Sequence, residues 1–190
     1  MQTRIDRRQL LTGAGAFAAM LAVPMIARAN PRPLGDSTRN LAAFRTVAWQ
    51  DHFQHLRRGA ILCDLQSRAL HFWSEDEQTY LLFPSSVPMS DDFARRGYTE
   101  VVLKRRDPVW IPTPNMRERD PTLPERVEAG PDNPMGTRAM NLGWTYYRIH
   151  GIDNVDKIGR QASNGCVGLF NHHVEQLFEL VEVGTQVKMI

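Results

Sequence analysis

The chain has 190 residues, 42% of them hydrophobic and 23% charged, with a formal net charge of +2 at pH 7. That length and composition suit one globular domain, and the lack of any repeat or low-complexity block excludes a solenoid or a disordered tail. Removing residues 1–29 takes away four arginines and one aspartate, which leaves 19 basic and 20 acidic side chains and a net charge of −1. So balanced a remainder excludes nucleic acid as a partner.

Residues 1–29 read as an export signal peptide: a charged start, an apolar stretch from Gly13 to Ile26, and Ala27-Arg28-Ala29 as a small-residue cleavage site before Asn30. Arg7-Arg8 followed by Gln9-Leu10-Leu11 resembles a twin-arginine signal, with an ordinary secretory signal as the other reading. Either address sends the chain across the cytoplasmic membrane, to a periplasmic or otherwise exported location. The apolar stretch is too short and glycine-rich for a transmembrane helix, so no stable membrane span is expected after cleavage.

Residues 30–57 form a polar lead-in with a short helix expected near 43–56. From Ala60 the pattern turns to strands. "AILCDL" and "ALHFW" flank Gln66-Ser67-Arg68 as a hairpin, and "QTYLLF" follows as a strand stopped by Pro84. "YTEVVLKR" alternates Thr99, Val101 and Leu103 against Glu100, Val102 and Lys104, so one face should be solvated, with Lys104-Arg105-Arg106 on that face or at its end. Seven prolines between Asp107 and Met140 exclude regular helix or central strand and predict a long ordered excursion, either a lid, a substrate wall or an irregular wrap.

"TYYRIH" predicts a strand ending at His150-Gly151, and "CVGLF" a second short one. Asn171 is placed to N-cap a helix over "HHVEQLFELV", whose Val174, Leu177, Phe178 and Val181 share a face, and Gly184 ends it before a closing strand "TQVKMI". The sum is a mostly-β domain, a sandwich or curled barrel, with one helix near the C-terminus and a long proline-rich loop.

Two cysteines in an exported chain raise the question of a disulfide, yet Cys63 alternates like a core residue while Cys166 sits in a glycine-flanked turn, which argues against a bridge. Cys166 is then a buried filler, a metal ligand or a nucleophile. A thiol becomes nucleophilic beside an imidazole whose other nitrogen is held by an acceptor, and "IHG" offers both His150 and the Gly151 carbonyl. "SNGC" offers a turn whose Gly165 and Cys166 N–H groups can converge on an oxyanion. A zinc site using Cys166 with His150, His172 or His173 lacks any C-x-x-C or H-x-x-x-H spacing, and His172-His173 reads as a solvated first helical turn. Spacing alone leaves these readings open.

"YYRIHG", then a spacer containing Gly159, then "ASNGCVGLFN" resembles the signature of the L,D-transpeptidases of the ErfK/YbiS/YcfS/YnhG type, with a YkuD-like catalytic domain. "PVWIPTPNMRER" and "GPDNPMGTRAMNL" resemble the family's approach to its histidine, and the likeness covers residues 58–190. The resemblance implies that Cys166 is the nucleophile and His150 the general base. Gly151 would orient the imidazole, Gly165 and Cys166 N–H groups hold the oxyanion, and Ser163 and Asn164 shape the turn. It implies acyl transfer on peptidoglycan stem peptides: the thiol attacks the diaminopimelate carbonyl, expels D-alanine, and an amine resolves the thioester. That amine belongs to another stem peptide or a wall-anchored protein. Water instead of the amine gives an L,D-carboxypeptidase, and a non-catalytic wall-binding module is the third reading. No metal or organic cofactor is implied. One position departs from the family, which places an arginine two residues after the cysteine where this chain has Gly168. Arg138, Arg148 and Arg160 are the candidate substitutes for substrate binding.

Overall fold

A computed structural model of the chain describes residues 47–190, so the export signal and the first part of the lead-in lie outside the described residues. A 3-10 turn at Trp49–Asp51 is the helical structure found where the lead-in helix was expected. Beyond it come β1 (Ala60–Asp64), β2 (Ala69–Trp73), β3 (Tyr80–Pro84), β4 (Val87–Pro88) and β5 (Gly97–Arg106). The second half holds α1 (Pro114–Arg119), β6 (Arg138–Leu142), β7 (Arg148–His150), β8 (Gln161–Ser163), β9 (Val167–Gly168), α2 (Asn171–Leu180) and β10 (Gln186–Met189). Eight strands form one curled sheet in the order β3-β2-β1-β10-β5-β6-β7-β9, and β4 pairs with β8 in a small ribbon. The domain is mostly β, as its sequence predicts.

Both faces of β1 and β2 are buried, which explains their nearly continuous apolar sequence. Ile61 and Cys63 enter the main core, whereas Ala60 and Leu62 join a smaller cluster under Phe53 and Leu56 of the lead-in. On the main-core side α2 lays Val174, Leu177 and Phe178 against Met140, Ile149 and Val167. Each such side chain removed from water contributes about 1.5–3 kcal/mol, so this helix fixes the rear of β6, β7 and β9.

Three expectations change. First, the proline-rich excursion contains both a helix and a strand. Pro114 is tolerated because it opens α1, where its missing N–H has no intrahelical partner, and Thr113 Oγ1 caps by accepting from Met116 N. β6 begins at Arg138, inside the excursion, and lies centrally between β5 and β7. Its last proline is Pro134, so the ladder keeps all its donors. The rest is held by Asn133, fully buried, whose Nδ2 donates to the Pro108 carbonyl at 2.7 Å and whose Oδ1 accepts from Met135 N at 2.8 Å.

Second, β5 does not alternate simply. Its register against β6 shifts between Val101 and Leu103, a bulge at Val102. Val101 therefore faces the core, yet so does Lys104, whose Nζ donates to the Phe178 and Val181 carbonyls at 2.6 and 2.5 Å and caps the C-terminal end of α2. Arg106 pairs with Glu179 of the same helix at 2.9 Å. Leu103 and Arg105 are turned to the opposite face, in register with Asn141 and Ala139.

Third, the N-cap of α2 is Phe170, without a side-chain cap bond, and Asn171 is the first helical residue. Its amide is used elsewhere, as described below. The helix ends at Leu180, four residues ahead of Gly184, which serves the turn into β10. His172 is exposed, but His173 is half-buried against Phe83, ring centroids 4.6 Å apart.

Candidate active site

β7 and β9 run parallel, with Ile149 opposite Val167 and His150 opposite Gly168. Ile149 and Val167 are fully buried in the α2 core. Period-two alternation then sends Arg148 and His150 to the other face of the sheet. One residue before β9, Cys166 stands beside Arg148. Both cysteines are free thiols; Cys63 is buried in the core and Cys166 is partly accessible.

The turn before Cys166 is closed by Ser163. Its hydroxyl donates to the Cys166 carbonyl at 2.6 Å and accepts from Gly165 N at 3.4 Å. Gly165 has φ +119°, and a Cβ there would sit 3.2 Å from the Tyr147 ring, so the turn needs glycine at this position. Asn164 points out of the turn and accepts from Arg119 of α1 through its Oδ1. The Arg119 guanidinium, which thereby ties the excursion to the cysteine turn, also lies 4.7 Å above the Phe93 ring.

His150 Nδ1 donates to the Gly151 carbonyl. A carbonyl only accepts, so the proton resides on Nδ1 and the Nε2 lone pair is free. Burial lowers the imidazole to about 4, against the opposing pull of the Gly151 bond, so His150 is a neutral base at pH 7. The loop behind Gly151 is gripped by Asn171: Oδ1 accepts from Ile152 N at 3.1 Å and Thr137 N at 3.3 Å, and Nδ2 donates to Ile152 O at 3.0 Å. One amide thus fixes the peptide that carries the histidine's acceptor.

The Cys166 thiol donates to the Tyr146 carbonyl at 3.4 Å. Tyr146 reaches this position with φ +69°, uncommon for an aromatic residue and concentrated at functional sites. Burial pushes the thiol above its ordinary range, and the Arg148 guanidinium and backbone N–H work against that shift. At neutral pH the pair is thiol plus neutral imidazole.

Cys166, His150, Ser163 and Asn164 line one cavity of about 230 Å³. Trp110, Ile111 and Met116 of the excursion form its outer wall, so part of the excursion walls this cavity. Of the three candidate arginines only Arg148 lines this cavity. Arg138 donates to the Thr137 carbonyl at 2.7 Å and pairs with Asp107 at 3.5 Å, and Arg160 is exposed, its carbonyl serving Val87 N at 3.0 Å. Gly168 has no space for a side chain: a Cβ would lie 2.4 Å from Ser86 Oγ and 2.9 Å from Ile152 Cγ2. His172 and His173 do not reach the cavity. Among the described residues, no group of three or more His, Cys, Asp or Glu side chains is placed to hold a metal.

Tyr146, Asn171, Ser86 and the α1 wall were not singled out as site residues from sequence. A left-handed Tyr146 has no sequence signal, and Asn171 looks the same whether it caps a helix or clamps a loop.

Comparison with known proteins gives the family. The family model for the L,D-transpeptidase catalytic domain, YkuD, matches residues 58–189. A putative L,D-transpeptidase from the ATP synthase subunits region of Fuscovulum blasticum is 44% identical over 93% of this chain and 92% of its own length. The probable L,D-transpeptidase ErfK/SrfK of Escherichia coli K12 is 37% identical over 70% of this chain, which spans only 44% of that relative. An L,D-transpeptidase 3 structure from Mycobacterium tuberculosis superposes with a TM-score of 0.54 at 14% identity, covering 70% of this chain and 61% of that one, and so supports the fold alone. The chain belongs to the L,D-transpeptidase family, an enzyme family, and carries a YkuD-type catalytic domain.

Proposed function

We propose that this chain is an exported peptidoglycan L,D-transpeptidase with Cys166 as its nucleophile. The observation that carries the reading is the shared cavity of the Cys166 thiol and the His150 imidazole, whose Nδ1–H is held by Gly151 O. With Nδ1 occupied, Nε2 accepts the thiol proton as sulfur attacks the diaminopimelate carbonyl of a stem tetrapeptide. The tetrahedral oxyanion is held by the Cys166 N–H, assisted by that of Gly165 once it leaves Ser163 Oγ. The imidazolium returns the proton to the departing D-alanine amine, leaving a thioester. A diaminopimelate amine from a second stem then attacks, passing its proton to Nε2, and the thiol is regenerated as the cross-link forms. The residues that act are all in the chain, and the stem peptides are its partners. Export places the enzyme beside the cell wall.

Gly168 favours a second reading, in which water resolves the thioester and the enzyme is an L,D-carboxypeptidase. Purified muropeptide tetrapeptides, incubated with the wild type and with Cys166→Ala, test both. Cross-linked dimers in the mass spectrum support transpeptidation, and shortened monomers alone support hydrolysis. D-Alanine release by Cys166→Ala at the wild-type rate would overturn the cysteine mechanism.

A further inference from the structure

The face of the sheet that carries His150 and Arg148 extends past the catalytic cavity. Register places Arg148 beside Asn141 and Leu103, and His150 beside Ala139 and Arg105, in two adjacent rows across β7, β6 and β5. A second cavity of about 410 Å³ lies over these rows and shares Arg148, Ile111 and Met135 with the first. Arg105 reaches it only because of the Val102 bulge. Without the extra residue, Arg105 would turn with Val101 toward α2. Bulges of this kind re-aim side chains beside active sites.

The two arginines differ from three cations that stand near them. Arg106 is neutralised by Glu179 at 2.9 Å, Arg138 faces Asp107 at 3.5 Å, and Lys157 at the catalytic rim is bound by Asp153 at 2.7 Å. Among the described residues, no carboxylate lies within 4.0 Å of Arg105 or Arg148. Asp107 borders the second cavity but is the one that Arg138 faces. Two guanidinium groups without a carboxylate partner in a concave site, one of them beside the thiol, match a carboxylate, which an arginine fork binds in bidentate fashion.

We propose that Arg148, with Arg105 behind it, forms a carboxylate-binding subsite that holds an anionic group of the acyl donor next to Cys166. The inference rests on reading Cys166 as the acyl acceptor. Arg148 then supplies, from the strand beside the cysteine, a cation that residue 168 has no room to supply.

Alkylation of Cys166 in the full chain reads this subsite without any cell-wall substrate. Iodoacetate and iodoacetamide form the same S–C bond and expel iodide, but only the first carries a carboxylate. The ratio of their rates cancels any change in thiol ionisation, and intact mass counts a single adduct, since Cys63 is buried. Arg148→Gln should lower the iodoacetate-to-iodoacetamide ratio about tenfold, the loss of one charge-assisted contact. Arg105→Gln should lower it by roughly two- to threefold, and Arg160→Gln, outside both cavities, should leave it unchanged. A ratio within twofold of wild type in Arg148→Gln overturns the proposal. Should that variant not fold, glutarate must slow iodoacetate alkylation of the wild type while glutaramide does not; equal effects of the two also overturn it. Failure here leaves D-alanine release intact, whereas failure of the cysteine mechanism shows in Cys166→Ala alone.

Discussion

Replacing Asn171 with alanine removes one amide and strands three backbone groups. Ile152 N, Ile152 O and Thr137 N lose partners at 3.1, 3.0 and 3.3 Å. An unsatisfied buried group costs about 1–3 kcal/mol, and water reaches part of this half-buried site, so the expected loss is about 2–3 kcal/mol. For a domain of this size that corresponds to a fall in Tm of roughly 5–10 °C. Asn171→Asp keeps both acceptor contacts, loses the donor to Ile152 O and sets a charge against that carbonyl, so its loss should lie between wild type and alanine. The same change frees the Gly151 peptide, and the His150 imidazole loses its fixed tautomer. D-Alanine release should then fall by at least about tenfold in kcat with KM little moved, because the arginine face is untouched. Thermal melts and steady-state kinetics on tetrapeptide read the two effects separately. An alanine variant that melts within 1 °C of wild type, or keeps its kcat, would refute the clamp.

The remaining predictions concern His150 and Gly168. His150 titrates near 4 when folded, against an ordinary value of 6.5, so below pH 6.5 the unfolded chain gains a proton that the folded one refuses. Stability should decline as pH falls from 6.5 toward 4, by about 2 kcal/mol at pH 5, and His150→Gln should remove that part of the slope in urea melts at pH 7.5 and 5.0. Gly168→Ala should cost about 1–3 kcal/mol, because its Cβ meets Ser86 Oγ at 2.4 Å and Ile152 Cγ2 at 2.9 Å, and Ser86→Gly in the same chain should recover part of that loss in thermal melts, the Ile152 contact remaining.

Much of this architecture is written locally. The apolar runs of β1, β2 and β3, the helical stripe Val174, Leu177 and Phe178, and the glycine-flanked cysteine turn each carry their own periodicity or turn chemistry. What escaped depends on partners distant in the chain. β6 was masked by nearby prolines that end at Pro134. The Val102 bulge arises from pairing with β6, and no pattern in "YTEVVLKR" announces that Lys104 turns inward to cap α2. Asn171 shows the same limit: its place before an apolar stripe fits an N-cap, yet its amide is taken by the loops at Thr137 and Ile152.

That distinction also explains the departure at position 168. The β7–β9 pair sets His150 against Gly168, and Ser86 presses on Gly168 from a third segment, exchanging backbone bonds with it at 2.8 and 3.1 Å. With Ser86 in place, no side chain can leave residue 168 toward the cavity. A cation can still approach the thiol from β7, because alternation turns every second residue of that strand to the face that carries His150. The position two before His150 is the only one on β7 besides the histidine itself that meets this condition, and Arg148 occupies it. The glycine and the arginine are therefore one packing arrangement: Ser86 closes one route to the cavity, and the parallel neighbour opens the other.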